Sequence, residues 1–231
     1  MAALVAERVL VATRSAGKLC ELIPLLRAGG WCAESLTDAG IAHDPHEELL
    51  EAFDTFEANA RAKATYFAER APGRIVLADD SGLAADALRG GPGVASKRWS
   101  VRPDLSGDAL DAANNVHLQR ALNDAARHGE VSRAARYICA AACVWPGGEL
   151  VALGETRGTL LTHPRGTNGF GYDGYFLSTE LGQTFAEVSR EAKAAVSHRG
   201  RAFVALLALL AEAQAHGQML QRPVDPLREG G

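Results

Sequence analysis

The sequence predicts an α/β fold built on a mixed β-sheet, and three observations carry that prediction. Near the N-terminus, Arg8–Thr13 (RVLVAT) is an apolar run of strand length that passes through a small-residue turn into the helically spaced Leu19–Ala28. A helix-period segment ending near Arg70 then precedes a second β-branched run, Ile75–Ala78, so the first half is βαβ-like. The third observation is a hairpin: Ala134–Trp145, the turn Pro146-Gly147-Gly148-Glu149 and the returning Leu150–Arg157 bring antiparallel structure into the second half.

With 231 residues, 47% of them hydrophobic, the chain can bury a core in one large domain or two lobes. Its formal net charge is −4 and no basic block stands out, which argues against a partner of long nucleic acid but leaves room for a small anionic ligand. Cys20, Cys32, Cys139 and Cys143 form no CxxC pair and no zinc spacing, so buried reduced thiols are expected at Cys139 and Cys143. The opening MAALVAERVLVATRS lacks a basic region before its apolar run and reads as a first strand rather than a leader. Ala202–Ala213, the longest apolar run near the end, is too short to span a bilayer. No membrane partner and a cytoplasmic location are therefore expected. No repeat or linker divides the chain, and Pro223–Gly231 reads as a frayed tail, leaving 1–222 as one domain.

In chain order, the turn Arg14-Ser15-Ala16-Gly17-Lys18 joins strand to helix and gathers free backbone N–H groups, a positive dipole end and the Lys18 charge. That suits a phosphate, although GxxxxGK[ST] is absent. Pro24 must sit early in the helix or kink it. Trp31–Ile41 is expected to be a second strand and a connection. His43–Phe53 is acidic, with Glu47, Glu48 and Glu51, and its His43 and His46 are surface residues. Asp54 and Glu57 have capping-box spacing for a helix whose core stripe is Phe56, Ala60, Ala64 and Phe67. Asn59 and Lys63, four apart, share another face, which matters if that face lines a cleft.

Ile75–Trp99 is the stretch around which the chain is organised. An apolar strand ends in Asp79 and Asp80, a Ser-Gly turn leads to Asp86, and an exposed Gly90-Gly91-Pro92-Gly93 loop ends in Lys97-Arg98-Trp99. Carboxylates at a strand end, with bases past a glycine loop, can place a divalent cation beside an anion. A polar helix follows over 104–128, starting at Ser106 or Asp108. On the Ala134–Trp145 strand, Tyr137, Cys139, Ala141, Cys143 and Trp145 share a face. Thr162–Gly174 carries four glycines, with Phe170 and Tyr172 as rings for stacking on a flat ligand and Asp173 as an acceptor for a base edge. Lys193, His198 and Arg199 gather cationic donors before the final helix, Ala202–His216.

Four segments, in order, resemble the inosine triphosphate pyrophosphatase family: VLVATRSAGKLCEL, TFEANARAKA, LADDSGLAADALRGGPGVASKRW, and GTNGFGYDGYF continued by FAEVSREAKAAVSHRGRA. They run from about Val9 to Ala202. ADDSGL, FGYD and SHRG in this order form a specific set. The resemblance implies an elongated mixed sheet flanked by helices, two lobes around a central cleft, and a homodimer. It implies Mg²⁺-dependent hydrolysis of noncanonical purine nucleoside triphosphates (ITP, dITP, XTP) to the monophosphate and pyrophosphate. By position, Asp80 is the catalytic carboxylate, and Glu51 and Asp80 hold the metal. Thr13, Arg14, Ser15, Ala16, Gly17, Lys18, Lys63 and Arg98 hold the triphosphate, with Ser81 touching phosphate. Phe170, Gly171, Tyr172 and Asp173, with Lys193, His198 and Arg199, enclose the base.

The chain departs from the family pattern at three places. Thr13-Arg14-Ser15 stands where the family reads Thr-Gly-Asn, Phe53 where it commonly has glycine, and Gly174 where proline follows FGYD. The second departure leaves Glu47 and Glu48 open as alternatives to Glu51. The first keeps a nucleotide-binding protein without catalysis as one alternative, and a septum-inhibitor-type nucleotide pyrophosphatase is the other.

Overall fold

Six strands form one sheet in the order β2-β1-β3-β4-β5-β6 in the computed structural model, which describes residues 8–215. β1 (Arg8–Val11) pairs in parallel with β2 (Cys32–Ser35) and β3 (Ile75–Ala85). From β3 onward the sheet is antiparallel, through β4 (Ala134–Trp145), β5 (Gly148–Leu160) and β6 (Phe176–Ser178). The mixed sheet expected from the sequence is present, and β3 is where its two halves join.

Alternation along the strands divides the core. Val9, Val11, Leu77, Cys139, Ala141 and Cys143 face α1 (Ala16–Ala28) and α5 (His198–Ala215). Leu10, Val76, Ala78, Ala140 and Ala142 face α2 (Phe56–Arg70), whose Ala60, Ala64 and Phe67 are buried, as the stripe predicts. A third cluster gathers Leu83, Ala85 and Tyr137 with Leu118 and Leu122 of α3 (Gly107–Arg127) and with Phe176 and Phe185. Cys139 and Cys143 are buried free thiols.

Several expectations are corrected. β3 does not stop at Ala78: Asp79 and Asp80 lie inside an eleven-residue strand, and Ser81-Gly82 is extended backbone rather than a turn. The cause is the ladder to β4, in which Asp80 pairs with Ala140, Ser81 with Cys139 and Gly82 with Ile138. Gly82 suits that place, because a Cβ there would overlap Gly93 O and Ser96 Oγ. The Gly90–Gly93 loop is folded back rather than exposed, with Pro92 buried and bridged to Ala84. Trp31–Ile41 does hold a second strand and a connection, as expected, the strand covering four residues. α2 is capped by Thr55, whose side chain accepts from the Ala58 N–H, so Asp54 is not the cap. α5 begins at His198, four residues earlier than expected, after α4 (Arg190–Val196). Ser106 is the N-cap position of α3, as expected. The tail from Pro223 lies outside the described residues.

Among the described residues, no single helix is long and apolar enough to cross a membrane. α4 and α5 together reach the length and composition, but they are bent by 64°, and eight residues of α5, His198 and Phe203 among them, are buried in the protein.

Candidate active site on the two faces of β3

A strand turns successive side chains to opposite faces, so the adjacent acids of β3 enter different surroundings. Asp80 points toward α2. Its Oδ2 accepts from Asn59 Nδ2 at 2.8 Å, and its Oδ1 lies 3.8 Å from the Lys63 ammonium. The same ammonium donates to Glu51 Oε1 at 2.7 Å and to the Asp79 carbonyl at 2.5 Å. Arg98 closes the group from the other side, with Nη1 donating to Glu51 Oε2 at 3.0 Å and Nη2 to the Glu51 carbonyl at 2.9 Å. Asn59 also accepts from the Phe53 N–H and donates to the Phe53 carbonyl, tying the chain just beyond Glu51 to α2.

Charge within this group is unevenly held. Burial raises the Asp80 pKa above its ordinary value of 3.8, and the attraction of Lys63 and Lys18 does not cancel it. Burial acts on Glu51 in the same sense, but Lys63 and Lys18 outweigh it and bring its carboxyl down to about 2. For Lys63, burial would lower the pKa, yet Glu51, Asp80 and Asp79 raise it. The result is one firmly ionised carboxylate, one carboxylate that holds a proton more readily, and a fixed ammonium between them. Two carboxylates gathered on one positive charge, beside a phosphate-type turn, suit Mg²⁺, which uses one or two carboxylates and takes its remaining ligands from phosphate and water. Among the described residues, no three His, Cys, Asp or Glu side chains form a fuller metal cage.

Asp79 points toward α1 and α5 and is wholly enclosed. Its Oδ2 faces Lys18 Nζ at 3.0 Å and Arg199 Nε at 3.2 Å, and the Ser81 hydroxyl lies 3.3 Å away. Burial would push this carboxyl up, but Lys18, Arg199 and Lys63 hold it well below the usual carboxylate range. Lys18 has its own pKa lowered, chiefly by burial. Arg199 also donates to Ser81 Oγ at 2.8 Å and to Glu21 Oε2 at 2.5 Å. Glu21 extends the network, since its Oε1 accepts from Lys193, which also donates to Asp173 Oδ2. Four segments distant in sequence thus meet in one buried ionic cluster.

At its mouth, the turn after β1 starts α1. Ser15 caps the helix, accepting from the Lys18 N–H at 3.4 Å, and its own N–H donates to Thr13 Oγ1 at 3.2 Å. Phe170 lies against this turn: a Cβ on Gly17 would come within 2.7 Å of its ring. The Lys193 ammonium is 5.1 Å and the Arg199 guanidinium carbon 5.7 Å from the same ring centroid. α3 fixes the loop from behind, Asp111 accepting from the Gly171 N–H and Asn115 donating to the Gly171 carbonyl.

Lys18, Lys63, Glu51, Asp79, Asp80, Ser81, Arg98, Phe170, Lys193 and Arg199 therefore come together. Three residues depart from their expected parts. Tyr172 is buried, with its hydroxyl on the Ser96 carbonyl at 2.7 Å, so its ring belongs to the core rather than to a stacking surface. His198 is buried and neutral: burial, then Arg199 and Lys193, carry its pKa well below the usual value, and its ring stacks on Tyr137 at 4.5 Å. Arg14 turns its guanidinium away, onto Glu47 and the carbonyls of Ile41 and Ala42. Asp173 accepts from Lys193 and from the Phe170 N–H. Asp86 is exposed and stands apart, Glu47 is occupied by Arg14 and Glu48 is exposed, whereas Glu51 shares the Lys63 ammonium with Asp80. Sequence reading passed over Glu21. Its signal was the i, i+3 spacing from Lys18, which puts both on one face of α1.

A family model described as the Ham1 family matches residues 9–209. The chain belongs to the Ham1 family. The resemblance carried by the ADDSGL, FGYD and SHRG segments is thereby borne out. A relative from Frankia alni named dITP/XTP pyrophosphatase is 45% identical over 206 residues, covering 89% of this chain and 98% of the relative. Another of the same name, from Exiguobacterium sibiricum, is 43% identical over 208 residues, covering 88% and 96%. Among solved structures, a HAM1 protein from Coxiella burnetii superposes with a TM-score of 0.74 at 32% identity, covering 90% of this chain and all of that one. The α/β Ham1 architecture is shared.

Proposed function

We propose that the chain hydrolyses noncanonical purine nucleoside triphosphates (dITP, XTP and ITP) to the monophosphate and pyrophosphate, with Mg²⁺. The observation that carries this reading is the pairing of Glu51 and Asp80 around Lys63, one strand away from a helix N-terminus that presents Lys18. The names of the relatives, dITP/XTP pyrophosphatase, agree with it.

Glu51 and Asp80 would hold the metal, which when bound supplies positive charge to offset the negative charge of the departing pyrophosphate. Lys18, Lys63 and Arg98 bring further positive charge to the phosphates, and the N-terminus of α1 offers N–H donors. Asp80 takes the proton of the attacking water. Asn59 holds one of its carboxylate oxygens, and the other lies 3.8 Å from the Lys63 ammonium, whereas Asp79 on the opposite face is enclosed between Lys18 and Arg199. Asp79, whose Oδ2 faces Lys18 and Arg199, organises those two cations instead. Phe170 offers a ring for the base, and the donors of Lys193 and Arg199 behind it favour a 6-oxo group. A 6-amino group would leave those donors facing another donor, a mismatch that is heavily penalised.

A panel of ITP, dITP, XTP, GTP and ATP, with and without Mg²⁺ and read for pyrophosphate, tests the proposal. ITP and XTP turnover should far exceed that of ATP and should require the metal. Equal turnover of ATP, or release of orthophosphate, would overturn it. A homodimer, which rests on the family resemblance, and a cytoplasmic setting, which rests on the sequence reading of the first strand and the short apolar run, belong to the same proposal; sedimentation velocity tests the first.

A further inference from the structure

We infer that Arg14 is a positioning residue that locks the glutamate-bearing segment 45–51 onto the phosphate turn, an inference that rests on the proposed activity for its catalytic consequence. Its side chain reaches across to the connection after β2 and makes four hydrogen bonds. Nε and Nη2 grip the two carboxylate oxygens of Glu47 at 2.9 and 2.8 Å, Nη1 donates to the Ile41 carbonyl at 3.0 Å, and Nη2 also donates to the Ala42 carbonyl at 2.9 Å. Glu47 belongs to the 3₁₀ segment Pro45–Glu51 and completes its N-terminal capping box, with Oε1 accepting from the Asp44 N–H at 3.1 Å. Glu51 ends that same segment.

Arg14 is joined by one peptide bond to Thr13, at the start of the turn, and Glu51 sits four residues beyond the carboxylate that Arg14 grips. The guanidinium fork ties the phosphate turn to the N-terminal half of the segment, while Lys63 and Arg98 hold Glu51 at its other end. A segment of only seven residues, with no buried side chain of its own, holds its place through such ties. Lysine would not replace it, because a point charge cannot grip both carboxylate oxygens and two carbonyls at once.

The test compares Arg14→Ala, Arg14→Lys and Glu47→Gln with the unaltered protein. Amide hydrogen exchange is measured without nucleotide or metal, and ITP turnover is measured over a range of Mg²⁺. Exchange should accelerate over 41–52 and stay unchanged in β3 and β4. The Mg²⁺ concentration for half-maximal turnover should rise about 10- to 100-fold, the usual effect of removing a partner that orients a metal ligand. KM for ITP at saturating Mg²⁺ should stay within twofold. Glu47→Gln should act in the same direction, Arg14→Lys should not rescue, and Arg14→Ala with Glu47→Gln should cost no more than Arg14→Ala alone. A raised KM for ITP that Lys restores, with unchanged exchange, would make Arg14 a phosphate contact and overturn the inference. Should no triphosphate be hydrolysed, the proposed function fails, and the exchange pattern still decides whether Arg14 orders the segment.

Discussion

The two faces of β3 carry neighbouring aspartates with opposite electrostatic fates. On the α1/α5 face, Asp79 is enclosed by Lys18 and Arg199, and its pKa is driven down. On the α2 face, Asp80 shares a single ammonium with Glu51, and its pKa is driven up. The two residues share a backbone and differ only in the direction the strand turns them. What separates the two aspartates is therefore the balance of burial against nearby positive charge: two close cations outweigh burial at Asp79, whereas the one ammonium Asp80 shares with Glu51 does not, and Asp80 keeps more affinity for a proton.

The most forceful way to break the comparison is to neutralise each acid in turn. Asp80→Asn should lower pyrophosphate release by about 10²- to 10⁴-fold, the span attributed to a positioned proton acceptor. It should leave thermal stability equal or slightly higher, because a carboxyl with a raised native pKa favours the uncharged form. Asp79→Asn should do the reverse in stability. Leaving Lys18 and Arg199 without their carboxylate in a closed interior should cost about 3–5 kcal/mol in chemical denaturation. If both variants lose the same stability, the two faces are not different in kind.

The lysines sharpen the contrast by a smaller amount. Lys18→Ala and Lys63→Ala should each weaken binding of ITP by about 1.5–3 kcal/mol, the range for charged hydrogen bonds, and weaken IMP far less. Calorimetry with both nucleotides checks this, and equal losses would place the lysines near sugar or base.

Acidity gives the smallest and most selective signal. The Glu51 carboxyl falls from 4.5 to about 2 on folding. Its lowered pKa stabilises the native state above pH 4.5, and that contribution fades as the pH drops from 4.5 toward 2. The stability gap between the unaltered protein and Glu51→Gln, measured by urea denaturation, should therefore be largest near neutrality and shrink across that window. For Asp80 in the metal-free protein the sign is opposite: its raised pKa makes its contribution to stability fall as the pH rises, so the stability gap between the unaltered protein and Asp80→Asn, measured without metal, should move the other way.

Much of this was legible in the residues. The β-branched runs, the Ala60-Ala64-Phe67 stripe and the Pro-Gly-Gly hairpin gave strands and helices, because local period and turn chemistry determine them. Asp80, Lys63 and Lys18 stood out because their motifs are continuous, whereas Glu51, outside any such run, had Glu47 and Glu48 as rivals. What escaped depended on distant pairing. β3 looked short since its polar second half is held by hydrogen bonds to β4, some sixty residues away, rather than by its own composition. Asp79 and Asp80 looked alike since sequence does not announce which side chain meets two cations. His198 looked cationic until Tyr137 and Arg199 enclosed it, and Tyr172 looked like a ligand ring until Ser96 claimed its hydroxyl. Glu21 lies in the first family-like segment, three residues after Lys18, but its part emerged only when Lys193 and Arg199 converged on it.

The ladder between β3 and β4 also has a consequence in time. β4 and β5 are joined by a tight turn and pair along twelve positions, so they can zip early as a local hairpin. The strand bearing both aspartates must instead find β4 across a long loop that includes α3, a closure that costs entropy before any contact repays it. During refolding from denaturant, hairpin and helix signals should precede the return of pyrophosphate release. The catalytic centre is then a late product of assembly, and a newly made chain stays inert until its two halves have met.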